Sequence, residues 1–139
     1  MKEFDLLVRY TIYTKGGILM RYKSSIIEIG NDAMDLYNGV QSLILFNDSI
    51  ADEMLKEISV IHKRTDIKDI NIEVGDTIQI GENKLLVTAV GHVALETFSN
   101  IGHVTIRFTG SDKVNLPGEI AVVGEIKEIN INDNILIYK

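Results

Sequence analysis

Cysteine is absent from this 139-residue chain. That one absence excludes a disulfide framework, a thiolate metal site and a cysteine nucleophile. Tryptophan is missing too, and the only proline is Pro117, so the chain has no proline-rich linker to divide it. No apolar run approaches the roughly 18 residues of a membrane-spanning helix. The chain therefore reads as soluble, with any membrane association coming through a partner. Basic residues are outnumbered, 14 against 20 acids, for a net charge of −6. With no lysine or arginine cluster either, nucleic acid is a poor partner, because a basic face is the minimum needed to hold a phosphate backbone. Lack of cysteine also suits a cytoplasmic address.

Catalytic signatures are equally scarce. There is no Walker-type loop, no G-x-G-x-x-G, no G-x-S-x-G, no His-Glu-x-x-His and no acidic calcium loop. Nothing calls for a cofactor. The opening segment, residues 1–19, is no signal peptide, since Asp5 and Arg9 interrupt its apolar runs. It reads as an N-terminal extension before a single domain at 20–139. An edge strand supplied by it could pair two copies into a homodimer.

What is present is a β pattern. Isoleucine, valine and threonine recur in short runs broken by glycine, asparagine and aspartate. Strands are expected at 6–13, 22–29, 40–46, 58–62, 76–80, 85–90, 103–109, 120–123 and 134–138. Short helices are expected at 32–37, ending at Gly39, at 49–57, and at 93–101, ending at Gly102. No internal repeat is visible. The fold class is mainly all-β: a small closed or partly open β-barrel with two or three short helices.

The candidate chemistry rests on three histidines, His62, His92 and His103. No two of them are close enough in sequence to nucleate a zinc site, so no metal is expected. His62 closes the run Ile58-Ser59-Val60-Ile61-His62, at a strand end beside the polar Lys63-Arg64, where it could meet another molecule. Spacing alone equally fits an edge histidine with no role. In Gly102-His103-Val104-Thr105-Ile106-Arg107-Phe108, alternation puts Val104, Ile106 and Phe108 on one face and His103, Thr105 and Arg107 on the other. A cation, a hydroxyl and an imidazole in line could hold phosphoryl oxygens, or could simply be a solvated outer face. His92 reads as a surface residue in a turn.

From residue 86 on, the sequence becomes specific. Val87-Thr88-Ala89-Val90-Gly91, then Gly102 to Gly110, then Leu116-Pro117-Gly118 resemble the glucitol/sorbitol-specific IIA family of the bacterial phosphotransferase system. Tyr22-Lys23-Ser24-Ser25-Ile26-Ile27-Glu28-Ile29-Gly30 looks like that family's opening strand. The resemblance covers about residues 20 to 138. It implies a phosphocarrier that takes a phosphoryl group from HPr and passes it to a IIB cysteine, with the IIC membrane component delivering phosphorylated polyol. Ile61-His62 falls where the family keeps its phosphorylated histidine. His103, Thr105 and Arg107 match the family motif, and we expect them to stabilise the phosphate beside His62. Two other readings stay open on the sequence: a IIA-like regulator that reports phosphorylation state, and a non-catalytic β-barrel binding module.

Overall fold

A computed structural model describes residues 19–48, 51–64 and 70–139. In chain order the elements are β1 (Met20–Ile29), α1 (Ala33–Val40), β2 (Ser42–Asn47), α2 (Glu53–Ile58) and β3 (Val60–Arg64). After these come β4 (Thr77–Ile80), β5 (Asn83–Val90), α3 (Ala94–Ile101), β6 (Val104–Arg107), β7 (Glu119–Val123) and β8 (Asn134–Tyr138). The eight strands close into a barrel in the order β1-β3-β2-β6-β7-β5-β4-β8. Closure gives every strand a partner on both sides, so none of these strands leaves an open edge.

Alternation decides what fills the barrel. On β5, Leu85, Val87 and Ala89 turn inward, as do Ile135 and Ile137 on β8, Leu43 and Leu45 on β2, and Val104 and Ile106 on β6. Each fully buried leucine or isoleucine contributes about 1.5–3 kcal/mol by leaving water.

Several boundaries differ from the sequence expectation. Val40 is the last residue of α1 rather than the first of a strand. Gly39 does not end that helix; Gln41 does, in the left-handed region at φ 57°, with its N–H on the Tyr37 carbonyl. Its own carbonyl accepts from the Phe108 N–H at 3.0 Å, which holds the unusual conformation. Helix α2 starts at the Asp52 cap, whose carboxylate accepts from the Leu55 N–H at 2.9 Å. Strand β3 continues past His62 to Arg64, because Ser24 and Ser25 of β1 pair with Arg64 and Lys63. The strand expected at 6–13 lies outside the described residues, as does the extension 1–19 apart from Leu19, whose carbonyl accepts from the Lys139 N–H at 3.0 Å.

The pairing also brings out a structural repeat that is not visible in the sequence. Strand β3 runs antiparallel to β1 and parallel to β2; β7 runs antiparallel to β5 and parallel to β6. The two triplets are joined through the antiparallel β2–β6 pair. Their turns match bond for bond. Gly30 N–H donates to the Ser59 carbonyl at 2.9 Å, and Gly91 N–H to the Glu119 carbonyl at 2.8 Å. Asp32 N–H reaches the Glu57 carbonyl at 2.8 Å, and Val93 N–H the Pro117 carbonyl at 2.9 Å. A Cβ on Gly30 would collide with the Lys56 and Glu57 carbonyls, and one on Gly91 with the Pro117 carbonyl. Leu45 faces Val60 just as Ile106 faces Ile120. Two residues further along each strand, His62 in the first half therefore corresponds to Val122 in the second.

Candidate functional site

His62 shares the inner face of β3 with Val60 and is fully buried, at 0% exposure. The expectation of an accessible strand end is corrected on two counts. The strand runs on beyond it, and its parity turns the ring into the barrel.

Every polar atom of the ring is engaged. Nε2 lies 2.8 Å from the Gly102 carbonyl. A carbonyl only accepts, so Nε2 carries the hydrogen and donates it. Nδ1, left with a lone pair, lies 2.8 Å from the Tyr22 hydroxyl and 3.0 Å from the Ser24 hydroxyl. Both of these side chains point inward from β1 and are themselves at 0% exposure. The register that aligns Ile26 with His62 sets Ser24 on the diagonal of the pair, with Tyr22 one inward position further along β1.

Burial is the first cause that lowers the His62 pKa below its ordinary value of 6.5, since charging the ring there means losing water. The Gly102 carbonyl works against that shift, the Arg64 charge adds to it, and Asp48 opposes it. Burial likewise pushes the Tyr22 phenol well above its ordinary range, so it stays a neutral hydroxyl. The outcome is a neutral imidazole with a defined tautomer and a fixed plane.

Helix α3 forms the cover. Ala94 and Phe98 are its buried face, and the Phe98 ring stacks on the imidazole with centroids 5.8 Å apart and planes 19° from parallel. Tyr22 packs against the same phenyl ring at 4.6 Å. The Arg64 guanidinium, two residues beyond His62, donates from Nη1 to the Phe98 carbonyl at 3.2 Å. Gly102 ends the helix at φ 63°, with its N–H on the Phe98 carbonyl at 3.0 Å. A Cβ at Gly102 would stand 2.7 Å from the Asn47 Cβ and 3.2 Å from His62 Nε2. Glycine lets the backbone lie directly over the imidazole.

The other candidates are not brought to this ring. Val104 and Ile106 point inward, so His103, Thr105 and Arg107 face outward, on the opposite side of the barrel wall from His62. His103 Nδ1 donates to the Leu45 carbonyl at 3.2 Å, and its ring lies 4.6 Å from that of Phe46. Arg107 pairs with Glu119 at 3.7 Å. The second Glu119 oxygen accepts from the Asn115 and Leu116 N–H groups at 3.3 and 3.2 Å, holding the loop that carries Pro117. The expected shared phosphate site of His62, His103, Thr105 and Arg107 is therefore not assembled. His92 sits exposed in the turn before α3.

Sequence reasoning missed Tyr22, Ser24 and Gly102 as partners of His62. The signal was present as two hydroxyls at i and i+2 on one strand, but long-range register decides which strand they meet. Among the described residues, no group of histidines and acids is arranged to hold a metal ion, and no helix is long and apolar enough to cross a membrane.

Comparison with known proteins matches residues 21–136 to the family model described as the PTS system glucitol/sorbitol-specific IIA component. The chain is 34% identical over 107 residues to the PTS system glucitol/sorbitol-specific EIIA component of Escherichia coli K12, covering 77% of this chain and 85% of the relative. The Shigella flexneri protein of the same description matches at 34% over the same 107-residue length. The fold superimposes on the crystal structure of a PTS system IIA component from Enterococcus faecalis V583 with a TM-score of 0.71 and 26% identity, covering 81% of this chain and 96% of that one.

Proposed function

The chain belongs to the glucitol/sorbitol-specific IIA family of the phosphotransferase system, and from that premise we propose that His62 carries its phosphoryl group. A IIA component is a phosphotransferase component of polyol uptake, passing phosphate between HPr and a IIB component. The observation that best supports His62 in that role is its chemistry: a neutral imidazole, fixed at both nitrogens, beneath the Gly102 backbone of the family-like motif.

Neutrality matters because only an unprotonated ring nitrogen can attack phosphorus. Beyond that, phosphoryl transfer asks the protein mainly for in-line positioning and for charge stabilisation on the equatorial oxygens. Arg64 lies close enough to lower the His62 pKa, and its guanidinium suits that stabilising task. A ring at 0% exposure cannot touch another protein. Transfer therefore requires the turn from Phe98 to Gly102 to withdraw when a partner docks. On this reading the acceptor is a cysteine of the IIB component. The protein works in the cytoplasm and reaches the membrane only through the IIC component.

The test is to incubate the protein with phosphoenolpyruvate, Enzyme I and HPr, and to follow intact mass beside a His62→Ala variant. One acid-labile phosphate in the parent and none in the variant is the expected result. Phosphorylation that survives in the variant moves the carrier to His103 or His92.

A further inference from the structure

Two buried hydroxyls meet one ring nitrogen of His62, and the carrier reading by itself gives neither of them a task. Tyr22 Oη at 2.8 Å and Ser24 Oγ at 3.0 Å both address Nδ1, at 0% exposure, from adjacent inward positions of β1. A side chain that served only to fill the barrel would need no oxygen there. Val122, at the matching place in the second half, is an aliphatic residue, and the positions that match Tyr22 and Ser24 are Asn83 and Leu85. The amide of Asn83 is turned away, to the Ile80 and Glu128 carbonyls. The hydroxyl pair accompanies the histidine.

We infer that Tyr22 and Ser24 are positioning residues that seat Nδ1 of His62 in either tautomer, so that the ring can present its other nitrogen without leaving a buried atom unpaired. This rests on His62 as the phosphoryl carrier. The two ends of the ring differ in what they tolerate. The Gly102 carbonyl only accepts, so it fits Nε2 only while Nε2 bears hydrogen, the tautomer that cannot attack from that side. A hydroxyl both donates and accepts, so Tyr22 and Ser24 fit Nδ1 with or without its proton. When the Gly102 turn withdraws, the Nε2 proton is lost to water and Nδ1 takes one up, donating it to a hydroxyl that has rotated to accept. Nε2 then holds a lone pair directed outward. In the transfer, the phosphorus–nitrogen bond of the donor phosphohistidine breaks and one to Nε2 forms. The proton stays on Nδ1, and the donor imidazole leaves with its pair of electrons. Passing the phosphoryl group on to a thiolate reverses these roles at Nε2. Because the seat also fixes the plane of the ring, it selects which nitrogen is modified.

The experiment compares parent, Tyr22→Phe, Ser24→Ala, the double variant and Ser24→Thr. It uses the full chain charged through phosphoenolpyruvate, Enzyme I and HPr. Phosphorylation rate and the ³¹P spectrum of the phosphohistidine are read, with the ¹⁵N shifts of the His62 ring in the uncharged proteins. Each single deletion is expected to slow phosphorylation about ten-fold, the loss that one buried hydrogen bond implies. Ser24→Thr, which keeps its hydroxyl, should restore the parent rate. The parent should give one phosphohistidine isomer and the double variant two. Should the double variant not fold, Ser24→Ala decides, through its rate and a shifted Nδ1 resonance. A folded Ser24→Ala protein with parent rate, parent Nδ1 shift and one isomer overturns the assignment. If the parent itself takes no phosphate, the carrier reading fails. The seat is then judged on the ¹⁵N shifts alone: an Nδ1 resonance unmoved by both deletions overturns it, and one that moves upholds it.

Discussion

The two halves of the barrel carry the same backbone plan with different chemistry. Residues 20–64 and 83–123 each run strand, glycine turn, short helix, strand and returning parallel strand, with matching hydrogen bonds at the turn; the first half alone adds α2 before its returning strand. Only the first half places an imidazole inside. Its mate in the second half is Val122, and the hydroxyls of Tyr22 and Ser24 give way to Asn83 and Leu85. The helix ends are reversed in the same spirit. Gln41 and Gly102 both occupy the left-handed region, yet glycine is found only where the backbone lies over a ring. The same backbone pairing accommodates either filling of that interior position.

Making the halves alike is the sharpest way to test that contrast. His62→Val should abolish phosphorylation, read by intact mass, while far-UV circular dichroism stays that of the parent. The same change leaves the Tyr22 and Ser24 hydroxyls without the imidazole, which should lower stability by about 1–3 kcal/mol in denaturant titration. At the helix ends, Gly102→Ala combines a left-handed alanine with contact against the Asn47 Cβ at 2.7 Å. It should cost about 2–4 kcal/mol. The reverse exchange, Val122→His, buries an imidazole with no seat. About 1–3 kcal/mol of stability should go, and the new residue should take up no phosphate.

Acid gives a smaller, graded effect. The folded His62 pKa lies below the ordinary 6.5, so the unfolded chain binds the proton more readily. Stability from this group is fully present above about pH 6.5 and is lost as pH falls through the folded value. Thermal melts should show that acid-side loss in the parent and lack it in His62→Val. Smallest of all, Gln41→Gly should raise stability by about 0.5–1 kcal/mol, because glycine relieves the left-handed strain at an exposed position. A loss there would mean that the two caps are not equivalent.

Much of the barrel was legible in the sequence. Period-two alternation marks β5, β6 and β8, where each residue's environment depends on its immediate neighbours. The mainly β class follows from such runs, whereas closure of the barrel, left open as closed or partly open, is decided by the strand pairing. The repeat was not legible, because the aligned halves share few identities, such as Lys23 with Lys84, Gly30 with Gly91 and Ala33 with Ala94. What they share is where backbone carbonyls crowd a glycine, and only the folded chain reveals that. The site was half legible. The resemblance drew attention to His62, while its partners come from another strand and from a helix end set by register. His103, Thr105 and Arg107 show the reverse error: their common face was read correctly, but the face turns away from His62.

On the proposed reading, in which withdrawal of the turn from Phe98 to Gly102 uncovers His62, a kinetic consequence follows. With His62 as carrier, donor and acceptor must enter by the same door and cannot be present together. Each visit ends before the next begins, so the two partner proteins compete for one vacancy. An excess of uncharged acceptor should then slow loading, although it takes no part in that half-reaction. Throughput is set by how quickly each visitor leaves, which favours brief encounters over tight ones.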